Sequence, residues 1–293
     1  MADFKLYPDI ERYTEKHPIS LFKDVVATEK VDGTLVRFGL VDGVYRAGGR
    51  NVEFDGTKQL DSFGAEKWLK EHDAEGRLRS KYDGYNMIVY GEFYGKGIMN
   101  RIDYGNDKYF RIFDVMVDDV FLDQSDVEDV SQNLGFATMP VVYSGYNYLP
   151  ALKKTATKLT CVGIPREKNL LEGVVVRPTI RLKDKRGRWI IAKVKNPGFD
   201  EIRPEPKVVP GVPEDTKDKI LRYATEERLN HVLLRMREEG VKLTVEATGD
   251  VIRRFVADVV KEAEDMTEED KKFIGKLIPS EAKKLYFNYL ESN

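Results

Sequence analysis

A chain of 293 residues, 41% hydrophobic and 11% aromatic, carries enough apolar material for one large globular domain or two smaller ones. A mean hydropathy of -0.47 and the lack of a long apolar run exclude a helical membrane span, and Met1-Ala2-Asp3-Phe4-Lys5 lacks the apolar core of a signal peptide. A net charge of -2 argues against non-specific coating of nucleic acid, and one cysteine, Cys161, allows no internal disulfide, which points to a reducing, intracellular compartment.

Residues 1–24 read as an N-terminal arm with one short helix or turn. Val25 to Arg46 reads as three strands. The first leads into Thr28-Glu29-Lys30-Val31-Asp32-Gly33-Thr34, and Asp42-Gly43 is a two-residue hairpin loop between alternating runs. Gly33 permits a turn with positive φ or a close approach of a ligand to the backbone. A glycine turn flanked by Arg46 and Arg50 follows. Thr57 to His72 has helical spacing, with Leu60, Phe63, Trp68 and Leu69 as its buried stripe.

Met87 to Gly95 is an apolar strand carrying one acid, Glu92, and Tyr109 to Val117 is another with Asp114 in its middle. Helices are expected at Ser125 to Leu134 and at Tyr148 to Leu159, the second carrying Lys153, Lys154 and Lys158. Leu171 to Pro178 is a strand opening on Glu172, and Arg181 to Lys195 reads as a hairpin turning at Lys185-Arg186-Gly187. From Arg177 to Lys195 eight basic residues face one acid, Asp184, a basic track hidden by the overall charge.

Pro204, Pro206, Pro210 and Pro213 mark residues 204–213 as a stiff linker. Residues 214–293 then show helical spacing: one helix through Ile220, Tyr223, Leu229, Leu233 and Met236, and a second through Val251, Ile252, Phe255, Val259 and Val260. Thr267 with Asp270 caps a third, and a last helix begins at Pro279-Ser280. The expected division is 1–203, 204–213 and 214–293.

Lys-x-Asp-Gly alone is a common surface turn. A lysine there is a nucleophile only if it can lose its proton, and free lysine has a pKa of about 10.4. Charges are rarely buried unpaired, yet Glu92, Asp114 and Glu172 each sit in or beside an apolar strand. With Lys30 they suggest a shared polar cavity, and Lys193 and Lys195, two apart on a strand, point to one face. His17, His72 and His231 are far apart and join no cysteine cluster, so no zinc site is expected.

Six segments in order carry a resemblance: Lys30-Val31-Asp32-Gly33, Tyr45-Arg46-Ala47-Gly48, Gly91-Glu92-Phe93-Tyr94-Gly95, Phe110-Arg111-Ile112-Phe113-Asp114, Glu172-Gly173-Val174-Val175 and Lys193-Val194-Lys195. They resemble the motifs of the covalent nucleotidyltransferases, the superfamily of DNA ligases, RNA ligases and mRNA capping enzymes. Ile191-Ala192-Lys193-Val194-Lys195-Asn196 and the helical C-terminal segment are most similar to the RNA ligase 2 family. DNA ligases and capping enzymes carry an OB-fold there, which needs short alternating strands. NAD-dependent ligases need an added N-terminal domain, for which the 29 residues before Lys30 leave no room. The chain departs from the RNA ligase 2 pattern at Asp32 and Leu35, where that family usually has His and Asn.

The resemblance implies an α+β fold: an ATP-grasp-like nucleotidyltransferase domain of antiparallel sheets with flanking helices, then a small all-α domain. It implies an ATP-dependent RNA ligase acting on RNA ends, in nicked duplexes or single strands. ATP and Mg²⁺ or Mn²⁺ are the implied cofactors. A monomer needing no protein partner and no membrane is expected, working inside a cell whether the gene is the cell's or a virus's. Lys30 would form lysyl-AMP. Lys193 and Lys195 would neutralise the α-phosphate and help keep Lys30 uncharged. Arg46 would contact phosphate or ribose, and Glu92 the ribose. Phe113 would stack on adenine, Glu29 would accept from its amino group, and Val31 would line the pocket. Glu172, Glu92 and Asp32 would hold the metal, directly or through water, while Asp114 orients its neighbours. Arg253, Arg254, Lys283 and Lys284 would hold RNA. Competing assignments are a DNA ligase or capping-type enzyme with an unusual C-terminal domain, and an inactive RNA-binding repair scaffold.

Overall fold

The computed structural model describes residues 3–57, 60–61, 63–99, 101–167, 169–199 and 214–292. The chain forms two compact units, divided after Phe199. The proline-rich linker expected at 204–213 lies outside the described residues.

The first unit is built on two sheets. In one, β1 (Glu11–Arg12), β11 (Ala192–Lys195), β10 (Gly173–Pro178), β2 (Asp24–Lys30) and β9 (Val141–Tyr146) lie side by side in that order. In the other the order is β4 (Val44–Gly48), β3 (Thr34–Val41), β5 (Met87–Gly95), β6 (Lys108–Val117) and β7 (Val120–Phe121), with β8 (Ala137–Thr138) pairing β6. The pairs are antiparallel except β1 with β11 and β6 with β8.

The central strands β3, β5 and β10 read as nearly continuous apolar runs because both of their faces are covered. Val36, Phe38 and Leu40 of β3 and Met87 and Val89 of β5 point outward to α1 (Ala65–Glu71), α2 (Ala74–Tyr82) and α3 (Gln124–Leu134). Ala27, Val174, Val176, Ala192 and Val194 of the other sheet face α4 (Leu149–Thr155). The alternate residues Leu35, Tyr90, Val175 and Ile191 meet between the sheets, joined by Phe4 and Tyr7 of the N-terminal arm. The inner faces are therefore one shared layer, and the charged residues at its end are the candidate site.

The Asp42-Gly43 hairpin forms as expected, with φ of 50° and 75° at its two central residues. The helix expected over 57–72 is shorter. It begins at Ala65, because the Asp61 carboxylate accepts the amides of Ala65 (2.6 Å) and Glu66 (2.9 Å) and Gly64 has a positive φ of 75°. The hairpin expected over 181–195 turns at Gly187, but its legs meet only in the bridge Lys183–Trp189 before β11 begins. The basic track is not a continuous surface stripe: Arg177 and Arg181 turn inward onto Asp114.

The second unit is helical: α5 (Glu214–Leu221), α6 (Glu226–Glu238), α7 (Thr248–Glu262), α8 (Glu268–Lys271) and α9 (Ile274–Ser292). Leu229, Leu233, Met236, Val251, Phe255, Val259, Ile278 and Tyr286 fill its core. The single helix expected through 220–236 is two, because Thr225 accepts the Arg228 amide at 3.2 Å and restarts the chain as an N-cap. Thr267 caps α8 by the same bond to Asp270, also 3.2 Å. Pro279 lies inside α9 rather than at its start. No described helix is long and apolar enough to cross a membrane.

Candidate active site

Strand register brings the lysines together. Gly173 of β10 lies opposite Lys30 on one side and Lys195 on the other, and Val175 lies between Thr28 and Lys193. Directly opposite residues share a face, so Lys30, Lys193 and Lys195 stand on the inner face with Val175. A Cβ at residue 173 would meet the Val194 carbonyl oxygen at 2.4 Å, so only glycine fits between the two lysine-bearing strands.

Glu172 is the centre of this group, with 1% of its side chain exposed. Its Oε2 accepts a short hydrogen bond from Lys30 Nζ, and its Oε1 lies 3.8 Å from both Lys195 Nζ and Arg101 Nη2. Burial by itself would lower the pKa of Lys30, but Glu172, then Glu92 and Asp32, outweigh it and the net shift is upward. That direction runs against the expectation that Lys193 and Lys195 help keep Lys30 neutral: the surrounding carboxylates favour its charged form. Glu92 stands opposite Leu35 on the inner face of the second sheet. Burial pushes its carboxyl up to about 8, opposed by Lys30 and Arg50 and reinforced by Glu172 and Asp32.

Asp32 is buried and clamped from two directions. Arg101 donates to it from Nε (3.0 Å) and Nη2 (2.9 Å), and the Asp32 amide donates to the Tyr104 hydroxyl at 2.9 Å. Ile102 and Tyr104 pack on Val31 beside it. Gly33 is equally confined, since a Cβ there would meet the Phe93 carbonyl oxygen at 2.5 Å. The segment bearing Lys30 is thus fixed by β5 and by the loop between β5 and β6. Arg101→Met is expected to lower stability by about 3 kcal/mol, because the buried Asp32 loses its bidentate partner. Adding Asp32→Asn should recover most of the loss. Urea unfolding of both variants checks this, and an unchanged midpoint in Arg101→Met would show that the pair does not hold the turn.

The other expected site residues divide. Glu29 is buried and accepts from the Thr160 hydroxyl and the Cys161 amide (2.8 Å). Burial raises its pKa, and those two bonds oppose the rise. Phe113 is half-buried, with the Tyr7 ring edge-on at 4.9 Å. Arg46 is not with this group. It lies opposite Gly39, well along β3 from Thr34, forks onto Glu53 and covers the Phe4 ring at 5.3 Å. Asp114 does not share the cavity of Glu92 and Glu172 either. It is fully buried, accepting from Tyr7 (2.7 Å) and Arg181, with Arg177 Nε at 3.5 Å. Deep ion pairing, not solvent access, explains an acid in the middle of β6.

Arg101, Tyr104 and Thr160 had no signal in the sequence, since each acts from a loop far from the motif it touches. Arg50 was visible only as one flank of the glycine turn. Its charge bears on Glu92, whereas the motif arginine Arg46 is turned away. Arg12 of β1 lies beside Lys193 through a parallel pairing that two residues of strand could not announce. In the second unit, Arg253 and Arg254 both bind Asp250, and Arg254 also binds Glu239. Lys283 and Lys284 are exposed.

The donors also bear on metal binding. Among the described residues no three His, Cys, Asp or Glu side chains converge on one ion. Glu172, Glu92 and Asp32 therefore do not form a direct cage, and Asp32 is committed to Arg101. Glu172 and Glu92 remain, and a pair of carboxylates beside lysines suits an ion such as Mg²⁺ that keeps several waters and is shared with phosphate.

Comparison with known proteins gives two findings. A family model described as RNA ligase matches residues 23–195, more than half of the chain. Solved structures of an RNA ligase from Naegleria gruberi share the fold. The form with pyrophosphate superposes with a TM-score of 0.55 at 17% identity, covering 68% of this chain and 58% of that one. A variant with AMP and manganese gives the same values, and another with ATP and manganese gives a TM-score of 0.56 at 17% identity, covering 68% and 57%. The chain thus spans less than two thirds of the length of these structures. No curated protein sequence matches it.

Proposed function

Because the chain belongs to the RNA ligase family, we propose that it joins RNA 3′-hydroxyl and 5′-phosphate ends at the expense of ATP, through lysyl-AMP on Lys30 and an RNA adenylate. The observation that carries this reading is the buried Glu172 held between Lys30 and Lys195 on the inner face of the sheet. Neighbouring cations and anions of this kind suit a reaction that is mostly positioning and charge stabilisation.

In the first step Lys30 Nζ attacks the α-phosphorus of ATP. A phosphorus–nitrogen bond forms and pyrophosphate leaves. Lys30 must first pass its proton to water and give up its bond to Glu172. A divalent ion held by Glu172 and Glu92 would supply positive charge that offsets the carboxylates now keeping Lys30 protonated, and would neutralise the phosphates. Lys195 and Lys193, on the same face, stabilise charge on the α-phosphate. Phe113 offers a ring to the adenine, Glu29 accepts from its amino group, and Val31 closes the pocket wall. Next, a 5′-phosphate oxygen attacks the adenylate phosphorus and the bond to Lys30 breaks. The 3′-hydroxyl then attacks the 5′-phosphorus and AMP leaves.

Incubation with labelled ATP or GTP, followed by denaturing electrophoresis, tests the reading. A covalent label from ATP supports it. A label from GTP alone would favour a capping-type enzyme, and no label an inactive scaffold.

The two units predict a division of labour. The residues assigned to ATP all lie before Phe199, and each unit has its own core. A 1–203 fragment is expected to form lysyl-AMP within about threefold of the full chain yet to seal nicked RNA at least about 100-fold more slowly, because only the later steps need the polynucleotide positioned. Full sealing by the fragment would remove the RNA-holding role from the helical unit, with Lys283 and Lys284. Loss of both activities would make that unit a stabilising cap.

A further inference from the structure

The Glu29 carboxylate is held by a loop that carries none of the six motifs. The loop between α4 and β10 is closed at its base by the bridge Leu159–Leu170, and Thr160 stands at its start. Thr160 Oγ1 accepts the amides of Val162 (3.2 Å) and Gly163 (3.1 Å). A hydroxyl has two lone pairs and one proton. With both lone pairs engaged, the proton is directed to Glu29 Oε1. The next amide, Cys161 N–H, donates to Oε2 at 2.8 Å. The Cys161 side chain bonds to the same carboxylate, which leaves one acceptor position for another donor.

Described residues of the loop are tied to the segment between β5 and β6. Asn169 accepts the Asp103 amide and donates to the carbonyls of Asp103 and Ile164, each at 2.9 Å. Gly163 is packed so closely that a Cβ would meet Thr160 Cγ2 at 2.5 Å and Asn169 Nδ2 at 2.6 Å. Rigid orientation of an acceptor is what base discrimination requires. A fixed carboxylate attracts the exocyclic amino group of adenine and repels the carbonyl oxygen that guanine presents at the same position.

We infer that Thr160 is a specificity-determining positioning residue, whose hydroxyl orients Glu29 to select an adenine nucleotide over a guanine nucleotide. The inference rests on the reading that Glu29 faces the base. It places base choice partly in a loop outside the motifs, not in Glu29 alone.

The test is lysyl-nucleotide formation by the full chain with ATP and with GTP. The variants are Thr160→Val, Thr160→Ser, Glu29→Ala and Glu29→Ala/Thr160→Val, with thermal unfolding of each. Thr160→Ala replaces the valine variant should that one not fold. Loss of the hydroxyl is expected to raise the KM for ATP about tenfold with kcat nearly unchanged, and to narrow the ATP-over-GTP preference by a similar factor. Thr160→Ser should behave as wild type. In the Glu29→Ala background the Thr160 substitution should leave the ATP/GTP ratio unaltered. Equal loss of kcat with both nucleotides, or an undiminished effect without Glu29, would overturn the inference. If Glu29→Ala changes the ratio and Thr160→Val does not, the inference alone fails. If Glu29→Ala leaves the ratio unchanged, the base-facing reading fails and the inference falls with it.

Discussion

Replacing Lys30 with alanine is expected to abolish covalent labelling by ATP, a loss of about 10⁴-fold or more. Lys30→Arg should fail equally, because a guanidinium stays protonated at working pH and cannot attack phosphorus. The position leaves few substitutes. Lys195 is a second amine beside Glu172, but it lies 3.8 Å from the opposite carboxylate oxygen. The fold should survive, since Glu172 keeps Lys195 and Arg101 as neighbours. Gel labelling with radioactive ATP, alongside thermal unfolding, decides the matter. A folded Lys30→Ala protein that still forms an acid-labile adduct would place the nucleophile elsewhere.

The second large effect is expected at Glu172. This carboxylate is 1% exposed and is shared by three cationic side chains. Glu172→Ala removes the anion that balances them and one of the two acids assigned to the metal. Adenylylation should fall by about 10³-fold, in the range found when a preorganised electrostatic partner of a transition state is lost. Chelation by EDTA should likewise stop labelling by the wild-type protein, and added Mg²⁺ or Mn²⁺ should restore it. Labelling at the full rate in EDTA would refute the metal role of Glu172 and Glu92. Retention of activity by a folded Glu172→Ala protein would refute the assignment of that residue.

Much of the first unit could be read from local pattern. β5 and β6 stood out as apolar runs because both of their faces are largely covered. Asp42-Gly43 marked its hairpin because few dipeptides tolerate two positive φ values. The Lys30 turn, Glu172 and the Lys193–Lys195 pair were legible as polar exceptions inside apolar strands. The same rule misplaced Asp114, whose charge is matched by Arg177 and Arg181 deep in the layer. Short strands such as β1 and β8 had no signal, since two residues carry no periodicity. The restart at Thr225 was hidden because the apolar spacing runs on across it.

By itself the sequence determined the family, the α+β character with a helical C-terminal segment, and which lysines and acids stand at strand ends. Those properties are encoded in residue type, spacing and turn chemistry, which act over a few neighbours. Only the tertiary structure decided how these residues engage one another. It set Glu172 between Lys30, Lys195 and Arg101, turned Arg46 away onto Glu53, and closed Asp32 and Glu29 from two distant loops. The physical reason is that most such contacts join residues far apart in the chain, 69 positions for Asp32 and Arg101 and more than 130 for Glu29 with Cys161 and Lys30 with Glu172. Their geometry follows from sheet register and loop packing, which no local pattern records.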